Sequence, residues 1–248
     1  MNQKLDNAIN LYMEGIRDGN AREAVTKYTG SRYTQHSTGV RNGIEGFVEF
    51  FEPFIERCPV RDIRIIRSIT DGQYVFLQVF QDINSGEAKW VTTDLFDTDR
   101  NNKIIEHWDV ISAFEDNLES DHNQIDGPTA IQDVASTEEN KDIIRTFMCD
   151  VMILNQHDRL ESYINPDIFV VHSSSEVGAF EDYVGAYSQI FKIIGQGNFV
   201  VAYSHVSFGD RAFARFDIFR MCNGRVEELW VNQEPVPPKH EWVNGGKF

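Results

Sequence analysis

Two stretches of this chain recur further along it, and that repetition limits the folds open to it. "RYTQHSTGVRNGIEGFVEFFEPF" (32–54) is echoed by "IFVVHSSSEVGAFEDYVGAYSQI" (168–190), and "DLFDTDRNNKIIEHWDV" (94–110) by "DIFRMCNGRVEELWVN" (217–232). A single ungapped offset pairs His36 with His172, Leu11 with Phe147, Tyr28 with Ile164, Tyr33 with Phe169 and Phe47 with Tyr183. A shorter offset pairs Asp94 with Asp217, Phe96 with Phe219, Glu106 with Glu228 and Trp108 with Trp230. A repeat of this length is a duplicated domain rather than a solenoid. It carries an internal control: residues kept in both copies serve the fold, and residues present in one copy are candidates for chemistry.

The 248 residues suit two domains of ordinary size. The boundaries read from the sequence are 1–115 for the first domain, 116–136 for an acidic linker and 137–248 for the second domain. Eighteen Phe, eight Tyr and four Trp supply two aromatic cores. A net charge of −16 argues against nucleic acid as a partner, because phosphate binding needs a basic surface. Cys58, Cys149 and Cys222 form no CxxC pair or zinc pattern, and Cys58 and Cys149 read as buried free thiols. The first residues lack the order of regions that marks a signal peptide, and no apolar run reaches the roughly 18 residues of a membrane span. The expectation is a cytoplasmic chain without a membrane partner.

Helical spacing covers 4–18, 21–29 and 42–58, with Pro53 marking a kink or an end. Strand signals follow at 60–69, 73–83, 88–97 and 103–111, the first pair joined by the turn Asp71-Gly72. Helices followed by antiparallel strands make an α+β pattern. The second copy repeats the helices at 138–154, 157–163 and 180–194. It then runs about 14 residues short, which predicts that one strand or hairpin arm is lost or merged and that the second sheet is smaller.

The order YxQH…GF…FF…GEAKWVTTDLF…KIIEHWDVI, with the tail "NQEPVPPKHEWVNGGKF", resembles the SnoaL-like branch of the nuclear transport factor 2-like superfamily, in the subgroup labelled predicted aldol-condensation-catalysing enzymes. The resemblance covers residues 1–112 well and 138–248 more loosely. It implies two tandem cone-shaped α+β barrels, each with N-terminal helices on a curved antiparallel sheet. It implies no metal and no organic cofactor. Family members pair through the outer faces of their sheets, so duplication implies an intrachain pseudo-dimer, with a homo-oligomer as a further expectation. The family's polyketide cyclases use an Asp on the last strand as general base, which falls at Asp109. A second polar residue falls at Asp94, where those cyclases have His, and a third group falls near Gln35 or His36.

The residues themselves support a parallel reading. On a strand, Ile105, His107, Asp109 and Ile111 share one face. Burial there would raise the Asp109 carboxyl pKa and suit it to abstracting a proton beside a carbonyl. Asp109 and His107 become Val231 and Leu229 in the second copy, so they are lost together. His36 is a candidate donor to a carbonyl oxygen, and Asp94, with Thr92 and Trp90 on its strand face, is a structural or catalytic carboxylate. The candidate catalytic set is Asp109, His36 and Asp94, and the candidate ligand contacts are Tyr33, Gln35, Phe47, Trp90, Thr92 and His107. Phe47, Phe50, Phe51 and Phe54 also read as a core stripe of one helix. Thr92 becomes Arg215 in the second copy, where it could salt-bridge Asp217 or read an anion. Trp108 and Glu106, kept as Trp230 and Glu228, read as fold residues. The expected ligand is a small, largely apolar carbonyl compound, acted on by a cofactor-independent cyclase, isomerase or lyase. A non-catalytic binding or oligomerisation module is the alternative.

Overall fold

The structure is a computed structural model that describes residues 2–116 and 122–248. Its contacts divide the chain into two units. The first holds the residues up to Ala113 together with Pro237–Phe248, and the second runs from Phe114 to Val236. The segment Pro237–Phe248, which the sequence reading assigns to the second domain, therefore packs with the first unit. Most of the stretch read as linker belongs to the second unit: Trp230 donates to the Asp126 carbonyl, and Asn198 accepts from the Gln132 amide. Residues 117–121 of that linker lie outside the described residues.

In the first unit α1 (Gln3–Asn10) runs into a π-helical turn, Leu11–Arg17, and α2 (Ala21–Tyr28) follows. β1 (Thr29–Gln35) leads to α3 (Gly43–Arg57), which continues past Pro53 to Arg57. β2 (Arg61–Asp71), β3 (Tyr74–Ile83), β4 (Ala88–Thr98) and β5 (Ile104–Ala113) complete a sheet of order β1-β5-β4-β3-β2. β1 lies parallel to β5, and the other neighbours are antiparallel. Alternation decides the faces. Leu77, Asp94 and Asp109 stand in one row across three strands, with Val79, Thr92 and Ile111 in the next. Leu77 and Val79 belong to the core that the helices cover through Leu11, Tyr12, Val25 and Phe47.

The second unit has α4 (Thr137–Phe147), a second π-helical turn at Met148–Ile153, and the short α5 (Leu160–Tyr163). Its sheet comprises β6 (Val170–His172), β7 (Tyr187–Gln196), β8 (Phe199–Phe208), β9 (Arg211–Cys222) and β10 (Arg225–Pro235), in the order β6-β10-β9-β8-β7. Both copies thus keep the same five-strand topology.

Three expectations are corrected. The sheets are not cone-shaped barrels: each is an open five-stranded sheet whose outer strands, β1 and β2 or β6 and β7, are not neighbours of each other. Closure would need those edges to pair, whereas here helices cover the apolar face and no closure is required to bury it. The second sheet has lost no strand, and only the short β6 trims it, because the missing residues fall on the third helix. Residues 187–194, the end of the stretch read as helix, fall in β7, and only the short turns Ser175–Val177 and Phe180–Tyr183 precede it. Apolar positions in "YSQIFKIIGQ" satisfy both periods, and pairing with β8 selects the strand. Finally, the three cysteines are free, but Cys149 is exposed and Cys58 half-buried.

Gly46 in α3 meets the Arg41 carbonyl so closely that an added Cβ would collide with it, while Gly39 faces open space. Gly46→Ala is therefore expected to destabilise the first unit by about 1–3 kcal/mol through overpacking, and Gly39→Ala to leave it unchanged. Chemical denaturation of the two variants checks the contrast.

Candidate functional site

Between the helices and the helix-facing side of the first sheet lies a cavity of about 220 Å³. Leu11, Tyr12 and Ile16 line it from the first helical segment, Phe47, Phe50, Phe51 and Phe54 from α3, and Trp90 and Phe96 from β4. The α3 stripe read as core therefore also forms cavity wall, with Phe50 partly exposed. The polar lining comprises Tyr33, Gln35, Ser37, Gln81, Thr92, His107 and Asp109. All six residues expected as ligand contacts, and Asp109, thus converge on one cavity.

A buried hydrogen-bonded chain joins several of these lining residues through Asp94. The Tyr12 hydroxyl donates to Asp94 Oδ1 at 2.8 Å and lies 3.2 Å from the Thr92 hydroxyl. His107 Nε2 lies 2.9 Å from the same Asp94 oxygen, and His107 Nδ1 lies 2.9 Å from Gln35 Oε1. Gln35 Nε2 in turn donates to the Tyr33 hydroxyl at 3.2 Å. The π-helical turn aims Tyr12 at β4, and such turns recur at functional sites. β1 holds Gln35 level with His107, and the Gln35 amide donates to Asn42 Oδ1, which ties down the loop leading into α3. The His107 ring stacks on Phe96, 4.5 Å between centroids.

Asp94 is 1 % exposed, and burial raises its carboxyl pKa against the opposing pull of His107. Burial also pushes the Tyr12 and Tyr33 hydroxyls well above the usual phenol range, helped by the nearby carboxylates. Asp109, 6 % exposed, goes the other way from expectation. Burial alone would raise it, but the Lys247 ammonium, then His107 and Ser37, hold it below the usual carboxylate range. Lys247 Nζ donates to Asp109 Oδ1 at 2.9 Å and to the Asp109 backbone oxygen at 3.0 Å. Sequence reasoning missed this lysine. Its contact spans 138 residues, and the one available signal was a basic residue near the end of a tail read as part of the family pattern.

His36 does not line the cavity. It lies beside the opposite face of β5, with Nε2 2.9 Å from Glu106 Oε1, Nδ1 donating to the Gly246 carbonyl at 2.7 Å, and its ring stacked on Trp108. His172 repeats the arrangement with Glu228 and Trp230, and its Nδ1 donates to the Asn123 carbonyl. Retention in both copies accompanies a shared packing unit. His36 thus stands apart from the group formed by Asp94, His107 and Asp109, because alternation along β5 sends Glu106 and Trp108 to the other face from His107 and Asp109.

In the second unit the corresponding positions are packed. Leu229, Val231 and Met148, the counterparts of His107, Asp109 and Tyr12, belong to one apolar cluster, and the α3 counterpart that would supply the aromatic wall is absent. Asp217 keeps its place in the ladder, but its tyrosine comes from β7: Tyr187 donates to both carboxylate oxygens at 2.9 and 2.8 Å and accepts from Arg215. The hydroxyl thus links the arginine and the carboxylate that the sequence pairs directly. No group of three or more His, Cys, Asp or Glu side chains among the described residues converges as metal ligands would, and no helix among them is long and apolar enough to cross a membrane.

No family model and no curated protein matches the chain. Solved structures do. A "putative polyketide cyclase" from Bacillus cereus ATCC 10987 is 16 % identical over 44 % of this chain and 74 % of its own, with a TM-score of 0.40. A "putative SnoaL-like polyketide cyclase" from Jannaschia sp. CCS1 is 19 % identical over 44 % and 85 %, with a TM-score of 0.37. A "putative isomerase of the SnoaL-like family" from Agrobacterium tumefaciens str. C58 is 15 % identical over 46 % and 100 %, with a TM-score of 0.39. Two of these three are named as SnoaL-like. At these identities and scores the likeness assigns neither reaction nor substrate.

Burial raises the Asp217 carboxyl pKa to about 6, against the pull of Arg215 and Tyr187. A raised native pKa means that the folded state holds a proton the unfolded state has released, so the second unit loses stability as pH rises from about 4 to about 6. Asp217→Asn removes that proton uptake. Relative to the parent, the variant is expected to gain on the order of 3 kcal/mol across this window, read from denaturation curves at a series of pH values.

Proposed function

We propose that the first unit binds a small, largely apolar carbonyl compound and performs cofactor-free acid–base chemistry on it, while the second unit keeps the fold without the site. The observation that carries this reading is the meeting of an aromatic cavity with the buried Asp109 side chain, whose carboxyl the Lys247 ammonium holds down against burial. The aromatic walls favour an apolar body. The convergent polar groups on β1, β4 and β5 suit a single carbonyl function at one end.

In this reading the Asp109 carboxylate takes a proton from the carbon next to the carbonyl, and the electron pair moves onto the carbonyl oxygen as an enolate. Tyr33, Gln35 and Thr92 are the neutral donors on the cavity wall that could steady that oxygen. Asp94, itself hydrogen-bonded by Tyr12, and Gln35 hold the two ring nitrogens of His107. Returning the proton to a different carbon is an isomerisation. Attack of the enolate on a second carbonyl is an aldol cyclisation, and loss of a β-hydroxyl is a dehydration. His36 takes no part here, since it lies away from the cavity.

A second reading, a binding pocket without turnover, has its own support. Both ring nitrogens of His107 and one carboxylate oxygen of Asp109 already have protein partners.

Three aromatic ketones, acetophenone, 1-indanone and 1-tetralone, separate these readings. The acid–base reading expects chemical-shift changes at cavity residues on ketone binding and enzyme-dependent deuterium uptake beside the ketone carbonyl in D2O. Asp109→Asn is expected to bind with little change and to slow uptake by roughly 10²–10⁴-fold, the usual contribution of a general base. Binding with uptake unaffected by the substitution would leave the pocket reading standing and remove Asp109 as base. No response to any of the three ketones would sink the carbonyl reading.

A further inference from the structure

The segment Pro237–Phe248 belongs to the first unit and hydrogen-bonds to its cavity-lining loop. The Val243 amide donates to the Thr38 carbonyl at 3.0 Å, and Asn244 Nδ2 donates to the Ser37 and Val40 carbonyls at 2.6 and 2.9 Å. Ser37 and Val40 line the cavity. Gly246 accepts from His36, and its own amide donates to Asn244 Oδ1 at 2.8 Å, which shapes the turn that presents the next residue. That residue is Lys247, 3 % exposed. Its ammonium donates to the backbone oxygen and to Oδ1 of the same Asp109. Asp94 across the ladder, His107 on the same strand face, and Ser37, Tyr33 and Tyr12 from the neighbouring elements also stand around this carboxylate. Among the described residues, Lys247 brings the ammonium that is hydrogen-bonded to it.

We infer that Lys247 is a positioning residue of the first unit's site: anchored through Asn244 and Gly246 to the cavity-lining loop, it clamps the Asp109 side chain to its own backbone and so fixes the orientation of the carboxylate at the cavity wall. Two donors on one residue, one to the main chain and one to the side chain, restrict the side-chain torsions as a single bond would not. The clamp occupies Oδ1, and Ser37 is a further hydrogen-bond donor to the same carboxylate. A buried carboxylate and ammonium each demand the other, since removing one strands the remaining charge in the interior. The site of the first unit therefore includes residues 243–247, far from it in sequence. This inference rests on the acid–base reading for its catalytic meaning, but its geometry is read without a substrate.

The test is a carbon-detected NMR titration of the aspartate side-chain carboxyls in the full chain, in parent, Lys247→Met and Lys247→Arg. Asp109 is expected to titrate below the usual carboxylate range in the parent, to move up in Lys247→Met, and to return toward the parent in Lys247→Arg. An Asp109 titration unchanged in a folded Lys247→Met overturns the inference. Should Lys247→Met fail to fold, the parent alone decides by reductive methylation with formaldehyde and borane, read by peptide mass spectrometry. Lys247 is expected to resist while exposed Lys27 reacts, and equal reactivity overturns the inference. Deuterium uptake by 1-indanone adds the catalytic readout: about a tenfold or greater loss in Lys247→Met with recovery in Lys247→Arg. A shifted titration with no uptake in the parent would fail the acid–base reading and leave the positioning role intact.

Discussion

Asp94 and Asp109 face each other across the β4–β5 ladder on the side of the sheet that the helices cover. An isolated charge in such a place costs far more than a fold of marginal stability can tolerate. Each carboxylate therefore needs its own solution, and the two solutions organise the first unit. Asp94 takes two hydrogen bonds on one oxygen, from the π-helical turn through Tyr12 and from β5 through His107. Asp109 takes an ammonium from a segment that follows the second unit in the chain. One carboxyl is raised by burial and the other is held low by a cation, although the two are direct partners across the ladder.

The duplication shows what the fold needs without this arrangement. The second unit retains the five-strand order, the π-helical turn and the His–Glu–Trp group. It replaces His107 and Asp109 with Leu229 and Val231, and it dispenses with the third helix. Loss of the helix and loss of the polar pair belong together, because the helix supplies the wall opposite those side chains. Without it the remaining residues close on the sheet as apolar core. Asp217 persists, now served by Tyr187 from a different element. A buried carboxylate at this ladder position is thus compatible with a filled interior, and the position does not by itself mark chemistry.

Much of the site was legible in the chain because strand alternation is strict. Once "KIIEHWDVI" is read as a strand, His107 and Asp109 must share a face, and Trp90, Thr92 and Asp94 must share one on its neighbour. The comparison of the two copies added that His107 and Asp109 vanish together. The same logic misled for His36, whose position in a loop near Gln35 placed it close to the site in sequence although its ring turns to the far side of β5. It also misled for residues 187–194, where apolar spacing reads as a helix and pairing with β8 makes a strand.

The chain by itself determined the duplication, the α+β order of its elements, the face that carries Asp109 and His107, and the loss of that pair from the second copy, because all of these depend on neighbours in sequence or on a period of two. The tertiary structure decided that the sheets stay open, that the missing residues came from a helix, and that the Asp109 carboxyl is held down by a cation rather than raised by burial. Those outcomes depend on which distant groups meet in the folded interior. A lysine 138 residues away lowers a carboxyl that local burial would have raised, and no local pattern encodes that encounter.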